Sequence, residues 1–128
     1  MDQSIPILLL DDDEDSVSMM KMILEDEGYS VDYAYDGHEG ILKYVPGKYA
    51  AVITDYVMPN LRGDEVAEKI RNLDARVGLI LLTGYKPSIP LATLERFSSV
   101  LEKPVNPLQV LTALSKIVGG VPVQVIMR

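Results

Sequence analysis

Short apolar segments alternate with amphipathic segments along the chain. The first apolar segment, Ile5–Leu10, is continuous, as is typical of a strand that is buried on both faces. Residues 15–27 instead place apolar side chains at helical spacing, begin among acids and are followed by Gly28, which favours a helix that ends there. The same patterns predict further strands at 29–35, 49–54, 77–82 and 98–102, and further helices at 37–45, 64–73, 91–97 and 107–118.

This regular alternation predicts an α/β fold. Parallel strands joined by right-handed helical crossovers form a sheet with helices on both faces, so we expect a doubly wound five-stranded parallel sheet. Residues 1–120 make up one domain, and residues 121–128 form an apolar C-terminal tail or the start of a linker. Helical spacing places the following side chains among those that pack inside: Met19, Met20, Met22, Leu73 and Leu108.

Composition narrows the class of protein further. With 48% hydrophobic and 24% charged residues over 128 positions, the chain resembles an ordinary globular domain and not a disordered one. It has no cysteine, which excludes disulfides and thiolate chemistry, and no apolar run near the ~20 residues of a membrane helix. We therefore expect a cytoplasmic protein without membrane contact. The net charge of −7 and the pI near 4.6 argue against direct nucleic-acid binding, which needs a basic face.

The acids are concentrated in the half of the chain that carries the first three strands. Residues 1–64 hold 14 acidic and 4 basic side chains, whereas residues 65–128 hold 5 and 8. In an open parallel sheet, ligands bind outside the carboxyl ends of the strands. The polar residues that end or follow the predicted strands at this edge are Asp11, Asp12, Asp55, Thr83 and Lys103. Three carboxylates, a hydroxyl and an ammonium group are therefore expected to meet there.

Such a combination favours phosphoryl chemistry. Carboxylates held together repel one another unless a cation lies between them, and hard oxygen ligands suit Mg²⁺. With such a cation, the Lys103 ammonium and the Thr83 hydroxyl can neutralise a phosphoryl group, and the Asp55 carboxylate can receive it as an aspartyl phosphate. Each residue alone is typical of a cap or a turn, and their coincidence on four strand ends indicates function. Purely structural roles are assigned to Asp13, Glu14 and Asp15 at the first helix, and to His38 at the surface.

The motifs around these residues resemble those of the receiver domain of two-component response regulators. The resemblance covers residues 5–118, and its segments are Ile7-Leu8-Leu9-Leu10-Asp11-Asp12-Asp13, Asp36-Gly37-His38-Glu39-Gly40, Asp55-Tyr56-Val57-Met58-Pro59, Leu82-Thr83-Gly84 and Lys103-Pro104. It implies a flavodoxin-like (βα)5 fold with strand order 2-1-3-4-5. It also implies a domain that is no enzyme in the usual sense and catalyses only its own phosphorylation and dephosphorylation. The expected phosphodonor is a sensor histidine kinase or a phosphotransfer protein.

The resemblance further implies a phosphoacceptor and a metal site. Asp55 is then the phosphoacceptor. Asp12 and Asp55 coordinate Mg²⁺ together with the backbone carbonyl of Val57, and Asp11 supports the metal from close by. These assignments follow from the matching positions in the motifs and not from the spacing of the residues alone.

Three more residues acquire roles by the same resemblance. Lys103 pairs with Asp55 and with the phosphoryl oxygens, Thr83 hydrogen-bonds the phosphoryl group, and Gly84 leaves room beside it. In the family, the peptide bond before the proline that matches Pro104 is often cis, which turns the lysine inward.

The chain departs from the family pattern on the side that usually carries the output. Val100 stands where an aromatic residue is expected, three positions before the lysine. A milder change lies elsewhere, in the turn after the Met-Pro loop, where Arg62-Gly63 replaces an Asp-Gly turn. Pro87 and Pro90 lie where a fourth helix normally begins. A homodimer or an output partner would bind through the face of the fourth helix, fifth strand and fifth helix. The chain is expected to be a stand-alone receiver or a part of a larger regulator or hybrid kinase.

Two other functions compete with phosphoacceptance. A phosphatase of the haloacid dehalogenase type shares acids after the first strand, a later threonine and a lysine, but it needs acids after that lysine, and residues 104–128 contain none. It also leaves Asp55 unexplained. An EF-hand is excluded because Ser16 stands where the calcium loop requires glycine. The remaining rival is a binding module that keeps the receiver fold and signals without phosphate.

Overall fold

Strands and helices alternate throughout the part of the chain that the computed structural model describes, residues 4–84 and 89–119. The predicted tail at 121–128 and Pro87 lie outside the described residues. The strands are β1 (Ile5–Leu10), β2 (Tyr29–Ala34), β3 (Ala51–Asp55), β4 (Gly78–Thr83) and β5 (Ser99–Glu102). The helices are α1 (Glu14–Asp26), α2 (Gly37–Lys43), α3 (Gly63–Leu73), α4 (Leu91–Leu94) and α5 (Pro107–Ile117).

The five strands form one parallel sheet in the order β2-β1-β3-β4-β5, which confirms the predicted fold class and strand order. The sequence order and the spatial order differ because the chain moves outward from β1 in both directions. The register places Leu10 opposite Thr54 and Asp55 opposite Leu82. The ends of the three central strands therefore lie side by side, at the edge where the site was expected.

Each face of the sheet is covered by its own layer of helices. One apolar cluster joins Ile7, Leu9 and Ile53 of the sheet to side chains of α1 and α5. The other cluster joins alternate strand residues such as Leu8 and Val52 to side chains of α2, α3 and α4. All residues of β3 and β4 are buried, which explains why these strands read as continuous apolar runs and not as alternating ones.

Several of the predicted core side chains face solvent instead. Leu108 is 62% exposed because the buried face of α5 centres on Val110 and Leu114, and Leu108 lies on the far side of the helix from them. Leu73 is exposed at the last residue of α3. Among the methionines of α1, only Met20 packs against the core. The prediction was wrong for Met19 and Met22, which are exposed on the opposite side of the helix from the buried Val17 and Leu24.

Local signals set most of the helix boundaries as predicted. The Asp13 carboxylate caps α1 by accepting from the Asp15 N–H at 3.1 Å and from the Ser16 hydroxyl at 2.9 Å. Gly28, with a φ of 99°, follows the end of this helix in a conformation that favours glycine. His38 is exposed in the first turn of α2. None of the helices in residues 4–84 and 89–119 is both long and apolar enough to cross a membrane.

The fourth helix is shorter than predicted. It ends at Leu94, whereas the sequence pattern extended it to Phe97. Phe97 is buried and joins the apolar cluster of α2 and α3, so the chain leaves helical geometry to place this ring inside. Only one helical turn therefore covers this part of the sheet.

Three buried tyrosines differ in how their hydroxyl groups are satisfied. The Tyr49 hydroxyl donates to the Asp32 carboxylate at 2.6 Å, and the Tyr44 hydroxyl donates to Asp74 at 3.0 Å. The hydrogen bond from Tyr49 holds the pKa of Asp32 below its usual value. The Tyr29 hydroxyl is buried without a hydrogen-bond partner among the described residues, and burial raises its pKa.

This difference predicts opposite effects of removing the hydroxyl groups. Tyr29→Phe should leave the free energy of unfolding unchanged or raise it by about 1 kcal/mol, since the lost group is desolvated and unpaired. Tyr49→Phe should lower it by about 1 kcal/mol at neutral pH. Because the Asp32 pKa is depressed in the fold, the Tyr49 contribution is present above the unfolded pKa and is lost as the pH falls through the folded one. Urea titrations at neutral and acidic pH measure both effects, and a clear destabilisation by Tyr29→Phe would contradict the first.

Candidate functional site

The carboxyl ends of four strands bring together the polar residues that the sequence singled out. Asp11 follows β1 directly, Asp55 ends β3 and Thr83 ends β4. Lys103 follows β5, and its backbone N–H donates to the Thr83 carbonyl at 2.8 Å, which extends the pairing of the two strands by one step. Asp12 lies next to Asp11, at the start of the loop into α1.

An ion pair and a carboxylate cluster form the centre of this edge. The Lys103 Nζ lies 3.0 Å from Asp55 Oδ1. One carboxylate oxygen each from Asp11, Asp12 and Asp55 lies within 4.8 Å of the others. Asp55 and Asp11 are only 3% and 5% exposed, whereas Asp12 is exposed. The cluster is therefore closed on the side of the sheet and open to solvent on the side of Asp12.

This crowding changes the proton affinity of the central carboxylate. Burial raises the pKa of Asp55 to about 7, the neighbouring Asp11 raises it as well, and the Lys103 ammonium opposes both. Desolvation lowers the pKa of Lys103, but its pairing with Asp55 and the charges of Asp11 and Asp12 outweigh this and raise it. An ionised Asp55 is thus costly in the protein alone, and an added cation between the carboxylates would offset that cost.

The donor set fits a hard divalent cation. Each of the three clustered residues offers a carboxylate oxygen, and the described part of the cluster contains no sulfur or imidazole ligand. One oxygen of Asp11 already accepts the Asp13 backbone N–H at 3.0 Å, which fixes this side chain beside the other two. Oxygen ligands with one open side are what Mg²⁺ uses in proteins, because it retains several water molecules.

The remaining predicted residues lie around this centre. Thr83 is buried at the end of β4, and Gly84, which follows it, is exposed. Apart from its own neighbours in the chain, no atom of residues 4–84 or 89–119 lies within 4 Å of where a side chain of Gly84 would begin. The Lys103-Pro104 peptide bond is cis. Val57 lies in the loop after Asp55, and its side chain is 75% exposed.

The turn before α3 contains Arg62-Gly63, one of the departures from the family motif. Arg62 occupies the N-cap position, but an arginine side chain has no acceptor for the free N–H groups of the helix. Glu65 instead accepts from the Arg62 backbone N–H at 2.9 Å, and the guanidinium pairs with Asp64 at 3.1 Å. Gly63 packs against the end of β3 so closely that an added Cβ would lie 2.5 Å from the Asp55 carbonyl oxygen.

Two features of this region were not predicted from the sequence. Thr54, read simply as part of an apolar strand, is fully buried, and its hydroxyl donates to the Asp55 carbonyl at 2.9 Å. A groove of about 300 Å³ also runs from Asp11 and Lys103 between α1 and the loop after β5. Its apolar lining includes Met19, Met20 and Ile23 on one side, and Pro104, Val105 and Pro107 on the other. A polar residue inside an apolar strand and three methionines grouped on one predicted helix were the available signals.

Comparison with known proteins identifies the same family throughout. The family model of the response regulator receiver domain matches residues 7–115. The chain is 38% identical over 84 residues to the uncharacterized transcriptional regulatory protein YkoG of Bacillus subtilis, covering 66% of this chain and 36% of that protein. It is 34% identical over 102 residues to a putative transcriptional regulator of Haloferax volcanii, covering 78% of this chain and 17% of that protein. The chain thus spans about a third or less of the length of these relatives.

Solved structures share the fold. The response regulator TrrA of Thermotoga maritima, determined in complex with Mg²⁺ and BeF, is 31% identical, has a TM-score of 0.81, and is matched over 88% of this chain and 98% of its own. A receiver domain protein from Clostridium thermocellum is 28% identical with a TM-score of 0.81, over 89% and 94% of the two chains. The strand order, the acidic cluster and the family match agree, and the chain belongs to the receiver domains of two-component response regulators.

Proposed function

We propose that the chain receives a phosphoryl group on Asp55 and signals by the change in conformation that follows. The observation that carries this proposal is the buried Asp55 carboxylate, 3.0 Å from the Lys103 ammonium and clustered with two further carboxylates. Burying an ionised carboxylate costs free energy, and buried carboxylates with specific charged neighbours are typical of functional sites. We take residues 1–120 as the receiver unit and the cytoplasm as its place of action.

The reaction is a single displacement at phosphorus. A carboxylate oxygen of Asp55 attacks the phosphoryl group, an O–P bond forms, and the P–N bond of a phosphohistidine breaks with its electron pair left on the imidazole. Asp55 becomes an acyl phosphate and adds negative charge to the edge. The Lys103 ammonium pairs with these oxygens, and the Thr83 hydroxyl can donate to one of them as the group settles. The chain would catalyse only this transfer and the later hydrolysis, in which water takes the phosphoryl group from Asp55 and inorganic phosphate leaves.

A divalent cation completes the charge balance of this site. Asp12 and Asp55, together with the backbone carbonyl of Val57, would hold Mg²⁺, and Asp11 would support it beside the pair. When bound, the cation would neutralise charge on the phosphoryl oxygens. Gly84 would leave space beside the group, in agreement with the open surface at this position.

The groove beside the site fits a protein donor. Exposed Met19 and half-buried Met20 border it on α1, and it reaches Asp11 and Lys103 at its inner end. Adaptable methionine surfaces suit the binding of an apolar helix face. We therefore infer that a histidine kinase or a phosphotransfer protein docks here with its phosphohistidine directed to Asp55.

The output side of the domain supports only a limited change of structure. Val100 packs against the apolar cluster on the face of the sheet that α2, α3 and α4 cover. Its β-branched side chain is stiff at the first torsion. The neighbouring α4 is a single turn. We propose that an output partner or a second copy binds at the α4, β5 and α5 face, and that its coupling to Asp55 is weak.

Replacement of the acceptor tests the proposed function. Asp55→Asn should abolish labelling by acetyl phosphate with Mg²⁺ while the far-ultraviolet circular dichroism stays unchanged, because the amide has nearly the same shape and is a poor nucleophile. Intact-protein mass spectrometry measures the gain of one labile phosphoryl group in the parent. Stoichiometric labelling of the variant would contradict the assignment, and an unlabelled parent would favour a module that signals without phosphate.

A second variant tests the metal site. Mg²⁺ should raise the melting temperature of the parent, because a ligand that binds only the folded state stabilises it by mass action. Asp12→Ala should remove this response, whereas Asp15→Ala, a change to an exposed acid of α1, should retain it. If the Asp12 variant responds to Mg²⁺ as the parent does, Asp12 is not a ligand.

The relay can be followed by amide chemical shifts on adding Mg²⁺ and beryllofluoride, a phosphoryl mimic. We expect large shifts in the loops after Asp55 and Thr83 and small shifts over Val100 and residues 107–118. The corresponding coupling free energy would lie below the ~1–3 kcal/mol that is usual between allosteric sites. Shifts over Val100 as large as those around Thr83 would show that the relay works without an aromatic residue.

A further inference from the structure

The residue before the phosphoacceptor makes polar contacts that the proposed reaction does not use. Thr54 is 0% exposed, and its side chain belongs to the face of β3 that is covered by α2 and α3. Its hydroxyl donates to the Asp55 backbone carbonyl at 2.9 Å, and its Oγ1 lies 3.8 Å from the Met58 sulfur. Both contacts lead to the acceptor and its loop.

A hydroxyl that is buried at this position lowers the stability of the fold unless it makes a hydrogen bond. Val52, two residues earlier on the same face, is apolar and fully buried. A valine in place of Thr54 would have nearly the same shape and would need no hydrogen bond. The cost of removing a hydroxyl from water is offset only by the hydrogen bond that it makes in the protein. Here that hydrogen bond is made to the backbone carbonyl of Asp55, the proposed phosphoacceptor.

The Asp55 carbonyl is also closely approached from a second side. Gly63, the first residue of α3, approaches so closely that a Cβ would lie 2.5 Å from this oxygen. The Gly63 backbone N–H donates to the Tyr56 carbonyl at 2.7 Å, which closes the loop of residues 57–62 at its base. Within that loop Met58 is buried against Thr54, whereas Val57 next to it is exposed. The peptide unit of Asp55 thus lies packed between the end of β3 and the start of α3.

We propose that Thr54 is a positioning residue for the acceptor site. Its hydroxyl fixes the backbone of Asp55, and its contact with Met58 fixes the loop that carries the Val57 carbonyl. The spacing between the Asp55 carboxylate and this carbonyl is then set before a cation binds. The inference rests on the proposed function of Asp55 and Val57, and it concerns a residue that touches neither the cation nor the phosphoryl group.

The test separates the hydroxyl of Thr54 from its volume. Thr54→Val should weaken Mg²⁺ binding about five- to tenfold and slow acetyl phosphate labelling at limiting Mg²⁺, as expected when one bond that orients a metal ligand is lost. Thr54→Ser keeps the hydroxyl and should remain within about twofold of the parent. Thr112→Val is the matched control, because the Thr112 hydroxyl donates to the Leu108 carbonyl at 2.8 Å on the exposed face of α5, away from the core. Calorimetric titration with Mg²⁺ and urea unfolding are measured on all four proteins.

The outcomes distinguish positioning from packing. If Thr54→Val binds Mg²⁺ and is labelled within about twofold of the parent, the proposal is wrong, even when its free energy of unfolding falls. If the valine variant does not fold, Thr54→Ser and Thr54→Ala replace it as a pair that differs only in the hydroxyl, and equal Mg²⁺ affinity of the two contradicts the proposal. Failure of the proposed function is a separate result, since the parent itself would then bind no Mg²⁺ and take no label.

Discussion

The chemistry of the site depends on the negative charge that is buried at the carboxyl edge of the sheet. Asp55 lies at the end of a fully buried strand, beside Asp11, and within residues 4–84 and 89–119 the Lys103 ammonium is the one cation that pairs with it. Carboxylates that lie close together disfavour one another's ionisation. Here the parallel register brings them together, because it aligns the ends of β1, β3 and β4. An added cation or a proton would relieve the repulsion between the carboxylates. The raised pKa of Asp55 has the same origin, namely burial and the neighbouring Asp11.

The fold could be predicted because its signals are local and repeated. Buried parallel strands are apolar throughout, and capping residues such as Asp13 set the start of a helix by hydrogen bonds within a few positions. The strand ends could then be located to within a residue, so the acids, Thr83 and Lys103 were expected at one edge. Their roles in phosphoryl transfer stay predictions, since the structure shows their proximity and not their chemistry.

What the sequence did not show depends on the direction of side chains. Leu108 fits an apolar stripe on paper, yet the buried face of α5 is rotated away from it toward Val110. Periodicity gives the existence of a stripe, and only packing decides which side of it meets the sheet. In the same way, Thr54 was counted as one more strand residue. Its importance appears only when the carbonyl that it bonds is seen to belong to Asp55.

The alternation of side chains along β3 has a consequence for how such a domain can be altered. The side chain of Thr54 lies on the face of the sheet that α2 and α3 cover. The alternating residues Ala51 and Ile53 lie on the face that α1 and α5 cover, and Asp55 continues that face. The groove beside α1 lies on the second layer only. Under the proposed assignments, repacking one layer would change the metal affinity of the domain, and docking of a donor at the other layer would stay unchanged. Over evolutionary time, the same separation would let duplicated copies of the domain diverge in reactivity and in partner choice along independent routes.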